Sequence, residues 1–136
     1  MVSGSNDKTV RIWNAETGEE VRVLHGHTDW VHSVSLSRDG KTVVSGSWGE
    51  KTVRIWNAET DEEVRVLNGH TDWVNSVAIS RDEKTVISGS YDETVRIWNA
   101  ETGEEVRVLN GHTDSVYSVV LSRDGKLWFQ EAWTEQ

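Results

Sequence analysis

Histidine, serine and aspartate recur together along this chain: His70, Ser88 and Asp92 stand within one stretch, and His27 and Ser45 stand one period earlier. These are the residue types of a hydrolase triad, in which an imidazole takes the proton of a serine hydroxyl and a carboxylate holds the imidazole in place. Other routes to chemistry are closed. There is no cysteine, so thiolate and disulfide chemistry are absent. No metal-ligand cluster, no glycine-rich phosphate loop and no cofactor-binding motif appears. A set copied along the chain also has to be weighed against a structural use, and that depends on the elements that position it.

Those elements repeat. The stretch from Ser88 to Thr113 has two further near-copies; Ile-Trp falls at 12–13, 55–56 and 97–98, and Gly-His at 26–27, 69–70 and 111–112, each advancing by 43 and then 42 residues. A period of about 40 to 45 residues with these signatures marks a propeller blade of four strands. Runs of β-branched and aromatic residues predict strands at Thr9 to Trp13, Thr52 to Trp56 and Thr94 to Trp98. Period-two alternation predicts further strands at 20–24, 31–36, 42–47, 63–67, 74–79, 85–90, 105–109 and 116–121. Val2 to Ser5 matches the end of a second strand. Asp39-Gly40 and Asp124-Gly125 read as hairpin turns.

Composition narrows the function classes. The net charge is −9, from 23 acidic and 14 basic residues, which repels phosphate backbones and argues against nucleic acid as a partner. No apolar run is long enough to span a membrane, and no basic-then-apolar leader is present, so the expected setting is soluble and cytoplasmic.

The recurring order Gly-His, Ser-Gly-Ser and Asp-x-Thr-Val-Arg-Ile-Trp resembles the WD-repeat (WD40) β-propellers, up to about Phe129. The high identity between copies is similar to that of repeats in fungal and bacterial signalling receptors of the nucleotide-oligomerisation class. The usual Trp-Asp pair is Trp-Asn throughout, at Asn14, Asn57 and Asn99. The resemblance implies that the histidine, serine and aspartate join the tryptophan in a buried hydrogen-bonded tetrad: His70, Ser88, Asp92 and Trp98. The same set implies His27, Ser45 and Trp56 in the preceding blade, and His112 with Ser3, Asp7 and Trp13 in a split one. Six residues before Trp56 stands Glu50 instead of aspartate, with Gly49 inserted beside it, which breaks the tetrad pattern; the alternative is that the longer carboxylate on the lengthened turn still reaches His27.

The strand count implies an all-β architecture of three blades per chain, two intact and one composite, closed by oligomerisation. The expected segments are 2–24 for the second half of the split blade, 25–67 and 68–109 for whole blades, 110–129 for the first half, and 130–136 as a tail. Propellers need about four or more blades to close, so the partner is first of all the chain itself: a homotrimer giving nine blades, or alternatively a homodimer giving six, through interfaces of roughly 2,000 Å² or more. Residues beyond Phe129 compete with Val2 to Ser5 for one strand slot, and Gln130 to Gln136 are expected to be turned aside.

Function belongs to the places where the copies differ. These are Trp30, Trp73 and Ser115; His32, Asn75 and Tyr117, two residues further on and therefore on the same side of the first strand; and Asn6, Trp48 and Tyr91 in the turn between second and third strands. They form a candidate ligand-binding rim of aromatic and amide groups suited to a protein or peptide. Drift after duplication, or packing between blades, is the competing reading. The glutamate pairs at 19–20, 62–63 and 104–105 read as a solvated outer edge. The expectation is a non-catalytic binding or scaffold module; its alternative is a purely structural self-assembling fragment or engineered symmetric propeller without a ligand.

Overall fold

The computed structural model describes residues 1–110 and the strands at 116–121 and 128–132. Among the described residues every regular element is a β-strand, and no helix is long and apolar enough to cross a membrane. The strands are β1 (Val2–Gly4), β2 (Val10–Trp13), β3 (Glu20–Leu24), β4 (Val31–Leu36), β5 (Thr42–Ser47), β6 (Val53–Asn57), β7 (Glu63–Leu67), β8 (Val74–Ile79), β9 (Thr85–Ser90), β10 (Thr94–Asn99), β11 (Glu105–Asn110), β12 (Val116–Leu121) and β13 (Trp128–Ala132).

They form four antiparallel sheets in chain order. β4-β5-β6-β7 and β8-β9-β10-β11 are four-stranded blades, β1-β2-β3 is a three-stranded sheet, and β12-β13 is a hairpin. The tail expected from Gln130 is a strand as far as Ala132. Gln130 pairs with Val119, the register position of Ser45 opposite Val34 and of Ser88 opposite Val77.

Blades pack side by side through their second and first strands, with β1 against β4, β5 against β8 and β9 against β12. Glycine makes this approach possible. A Cβ on Gly46 would lie 2.8 Å from Val74 Cγ1, and one on Gly4 would lie 2.6 Å from Val31 Cγ1. The valines filling these contacts, Val31 and Val74, are buried, as are Val43, Val44, Val53, Val86 and Val95. One core cluster brings Leu67 and Trp98 together with Val74 and Val86, and a second brings Leu24 and Trp56 together with Val31 and Val43.

Each blade carries two bulges at repeated places. One precedes the third-strand tryptophan, between Ile55 and Trp56 and between Ile97 and Trp98. The other lies in the first strand, where Val31 and Ser33 face adjacent residues Ser47 and Gly46, so His32 is the extra residue; Asn75 is its counterpart in β8. A bulge re-aims the side chain it carries. Period two alone therefore does not relate Trp30 to His32, since Trp30 precedes the strand and His32 is the extra residue at the bulge, although both rings lie against Trp48.

The Trp-Asn departure is also accounted for. Asn57 Oδ1 accepts the N–H groups of Glu59 at 2.8 Å and Thr60 at 3.2 Å, and Asn14 and Asn99 do the same in their turns. A single side-chain oxygen closes this turn, so an amide serves as well as a carboxylate.

Candidate functional site

The third strand lays down one side of the buried network. Period two puts Thr94, Arg96 and Trp98 on one face of β10, opposite the serine of β9, where Ser88 pairs with Arg96 across the ladder. Trp98 Nε1–H donates to Ser88 Oγ at 2.9 Å, and Ser88 Oγ lies 2.7 Å from His70 Nε2. His70 Nδ1 lies 2.7 Å from Asp92 Oδ2. Because a carboxylate only accepts, the proton sits on Nδ1. Nε2 then accepts the serine O–H, whose oxygen accepts the indole N–H. Burial pushes the Asp92 carboxyl up, but hydrogen bonds from His70, Thr94 and the Thr71 N–H outweigh it and hold the group well below the ordinary carboxylate range.

The connectivity is that of a serine–histidine–aspartate triad, so geometry alone does not separate catalysis from structure. Access does. Ser88 is 0% exposed and Ser45 is 0% exposed, and the imidazoles of His27 and His70 are fully covered. A serine that no substrate can reach, and that already accepts an indole hydrogen, is not placed to attack a carbonyl.

The blade expected to lack its carboxylate has one. Glu50 contacts His27 Nδ1, accepts the N–H and O–H of Thr28 at 2.9 and 2.8 Å, and accepts from Thr52 Oγ1 at 2.6 Å. Trp56 Nε1–H to Ser45 Oγ at 2.9 Å and Ser45 Oγ to His27 Nε2 at 2.6 Å complete the set. The extra backbone residue, Gly49, and the extra methylene of glutamate compensate one another. Burial pushes the Glu50 carboxyl up, and hydrogen bonds from His27, Thr52, Thr28 N–H and Arg54 reverse the effect, leaving it well below its ordinary range. The insertion has a local cost: Ser47 Oγ is buried without a partner, whereas Asp92 N–H donates to Ser90 Oγ at 3.1 Å and Asp7 N–H to Ser5 Oγ at 3.1 Å.

Two further residues join each network. Arg54 reaches Glu50 at 3.0 Å and Glu63 at 2.6 Å, and Arg96 reaches Glu105 at 2.8 Å, as Arg11 reaches Glu20 at 2.7 Å. The second glutamate of each pair therefore forms a cross-strand ion pair, while both glutamates of each pair are exposed. The signal was present in the unvarying Thr-Val-Arg-Ile-Trp run.

The three-stranded sheet holds an incomplete set. Trp13 Nε1–H donates to Ser3 Oγ at 2.8 Å, and Asp7 accepts from Thr9 and Arg11. Among the described residues no imidazole reaches Ser3. Trp13 is half-buried, against 0% and 1% exposure for Trp56 and Trp98. His112 and Ser115 lie outside the described residues, as does the side chain of Tyr117.

The candidate rim residues meet across blades. Trp30 and Trp48 have ring centroids 5.7 Å apart, His32 and Trp48 4.3 Å, Trp48 and Trp73 4.5 Å at an interplanar angle of 11°, and Trp73 and Tyr91 5.4 Å. Four rings thus form a ladder in the order Trp30, Trp48, Trp73, Tyr91, with His32 beside its second rung. Backbone bonds fix it: Trp48 N–H donates to Trp30 C=O at 3.1 Å and Tyr91 N–H to Trp73 C=O at 3.0 Å. Trp30 is 44% and Trp73 38% exposed, and His32 is exposed. Asn75 departs from the expected rim, being 5% exposed at the same bulge, and Asn6 is exposed.

Comparison with known proteins agrees with this architecture. The model of the WD40 family (WD domain, G-beta repeat) matches residues 1–14, 18–57, 61–99 and 103–129, and the chain belongs to that family, whose members are generally non-catalytic protein-interaction modules. Among curated proteins, the chain is 48% identical over 46 residues to nuclear distribution protein PAC1 of Coccidioides posadasii, a match covering 34% of this chain and 10% of that protein. It is 49% identical over 45 residues to the PAC1 protein of Arthroderma otae and 40% over 45 residues to that of Mycosarcoma maydis, each match covering 33% of this chain. The matched segment thus spans 10% of the length of each of these relatives.

Proposed function

We propose that the chain is a non-catalytic recognition or scaffold module that binds a protein or peptide on the aromatic rim, while the histidine–serine–carboxylate sets hold its blades together. The observation that carries this reading is the ladder of Trp30, Trp48, Trp73 and Tyr91, which keeps two indoles well exposed on a face built from two blades. Stacking between Trp48 and Trp73 also contributes to blade packing, so the ladder supports the surface and forms it. Rigid, partly exposed aromatic side chains are the groups that anchor protein interfaces. The test is selection of binders from a displayed random peptide library, with the Trp48→Ala/Tyr91→Ala variant as counter-target and its fold checked by circular dichroism. Peptides that bind the parent and not the variant are expected; a library yielding none refutes the reading.

A second reading, self-association, is favoured by the incomplete set at Ser3, Asp7 and Trp13. A first strand with its histidine, supplied by another copy of the chain, would complete this set as His70 completes the one at Ser88. The assembly proposed is a homotrimer of nine blades, with a homodimer of six as its alternative. Native mass spectrometry counts the copies, and a single copy retained at all concentrations overturns self-association.

A further inference from the structure

Trp30 and Trp73 each follow an aspartate whose Oδ1 accepts the tryptophan backbone N–H, at 2.6 Å from Asp29 and 2.7 Å from Asp72. This bond holds a carboxylate at the backbone of each exposed tryptophan. Several other carboxylates find cations: Asp7 and Glu20 pair with Arg11, Asp61 with Arg22, Glu50 and Glu63 with Arg54, and Glu105 with Arg96. Among the described residues neither Asp29 nor Asp72 forms an ion pair. Lys51 stands in the turn after Trp48, its N–H bonded to Trp48 C=O, and its ammonium pairs with neither aspartate. Partial burial of the His32 ring lowers its pKa, which disfavours its cationic form. The ladder is therefore electron-rich and flanked by two unneutralised carboxylates, on a chain of net charge −9.

The ring faces are not equally available. Trp48 and Trp73 cover one another, and Tyr91 covers the far side of Trp73. Trp30 ends the ladder, with one side toward Trp48 and 44% of its surface exposed. An indole face beside a fixed carboxylate suits a planar cation that stacks and donates two parallel hydrogen bonds, which a guanidinium does better than an ammonium.

Resting on the rim reading above, we infer that the partner presents arginine: a basic protein segment whose guanidinium stacks on Trp30 and pairs with Asp29, with a second basic side chain reaching Asp72. The probes are short peptides of alternating arginine and glycine, lysine and glycine, and glutamate and glycine, titrated by calorimetry. Asp29→Asn/Asp72→Asn is the variant, because it leaves every ring in place. The arginine peptide is expected to bind, the lysine peptide more weakly and the glutamate peptide not at all. The double variant should lose about tenfold or more in affinity for the arginine peptide, and salt should weaken parental binding. Equal binding of the arginine peptide by parent and variant, no binding of it, or tighter binding of the glutamate peptide overturns the inference. The library separates the two failures: rim-dependent peptides without basic residues leave the rim reading standing and remove the arginine, whereas an absence of rim-dependent peptides removes both.

Discussion

Replacing Ser88 by alanine separates a structural role from a catalytic one, because it removes one oxygen and little else. In the folded blade that oxygen serves two buried partners: it accepts the indole N–H of Trp98 at 2.9 Å and lies 2.7 Å from His70 Nε2. Neither partner can turn to water. Trp98 is 1% exposed and the His70 imidazole is fully covered. A buried polar group left without a partner costs about 1–3 kcal/mol, so two of them amount to roughly 2–6 kcal/mol. Against a domain stability of about 5–15 kcal/mol, this is a large fraction, and in a chain of this size it lowers Tm by roughly 10–20 °C. The cavity left by an oxygen is small, so hydrogen bonding dominates the loss.

The assay is urea unfolding followed by tryptophan fluorescence and far-ultraviolet circular dichroism, at one fixed protein concentration because assembly would shift the midpoint. Ser3→Ala is the internal control. Among the described residues Ser3 Oγ serves Trp13 alone, which is half-buried, so the loss is about 1 kcal/mol or less. If copies associate and a histidine completes this set, the Ser3→Ala penalty grows with protein concentration while the Ser88→Ala penalty does not. A Ser88→Ala protein as stable as the parent, within about 0.5 kcal/mol, refutes the reasoning. Loss of hydrolysis of an activated ester at unchanged stability refutes it more directly.

Two other outcomes follow from the same contacts. Gly46→Ala places a Cβ 2.8 Å from Val74 Cγ1 and 3.1 Å from Val77 Cγ1, and overpacking of this kind destabilises by about 1–3 kcal/mol. Adding Val74→Ala should recover part of that loss, a less-than-additive result in a double-mutant cycle read by urea midpoints. Asp92 and Glu50 have folded-state pKa values below their ordinary 3.8 and 4.5. Their contribution to stability is therefore complete above those ordinary values and is lost as pH falls through them toward the folded-state values. Urea midpoints should hold steady above about pH 5 and drop below it, and Asp92→Asn should show a lower midpoint with a shallower acid decline.

The strands were legible because their sequences alternate with period two and are bounded by turn residues, and β4, β5, β8 and β9 occupy the residues that this pattern gives. The tetrad members were legible only through resemblance, since His70 and Ser88 are 18 residues apart and nothing local requires them to meet. Glu50 was misjudged because counting residues back from a tryptophan assumes a fixed turn, and an inserted glycine changes the turn. The bulges at His32 and Asn75 leave no trace in residue type, so the side from which these residues project could not be read from parity. Variation between copies picked out Trp48 and Trp73, but their stacking depends on how two blades sit against one another. The pairing of Arg54 with Glu63 was missed for a related reason: cross-strand neighbours follow from register, and a bulge at Ile55 and Trp56 shifts that register.

The turn from Ser47 to Lys51 shows how the two kinds of residue constrain each other. In the turns without an insertion, the serine ending the second strand accepts the N–H of the tetrad aspartate, at 3.1 Å for both Ser5 and Ser90. With Gly49 inserted, Ser47 Oγ loses that donor and stays buried alone, a cost of about 1–3 kcal/mol. The carboxylate function survives only because residue 50 is glutamate, long enough to regain His27, Thr28 and Thr52 from a displaced backbone. The Asp29 carboxylate fills the space above Gly49, which has no room for a Cβ. Trp48 therefore lies against Trp73 at 4.5 Å while the aspartate beside Trp30 is held at the same turn. The insertion weakens the interior by one hydrogen bond, whereas the aspartate bonded to the following tryptophan N–H recurs at Asp72 and Trp73 in the blade without it and so belongs to the repeat.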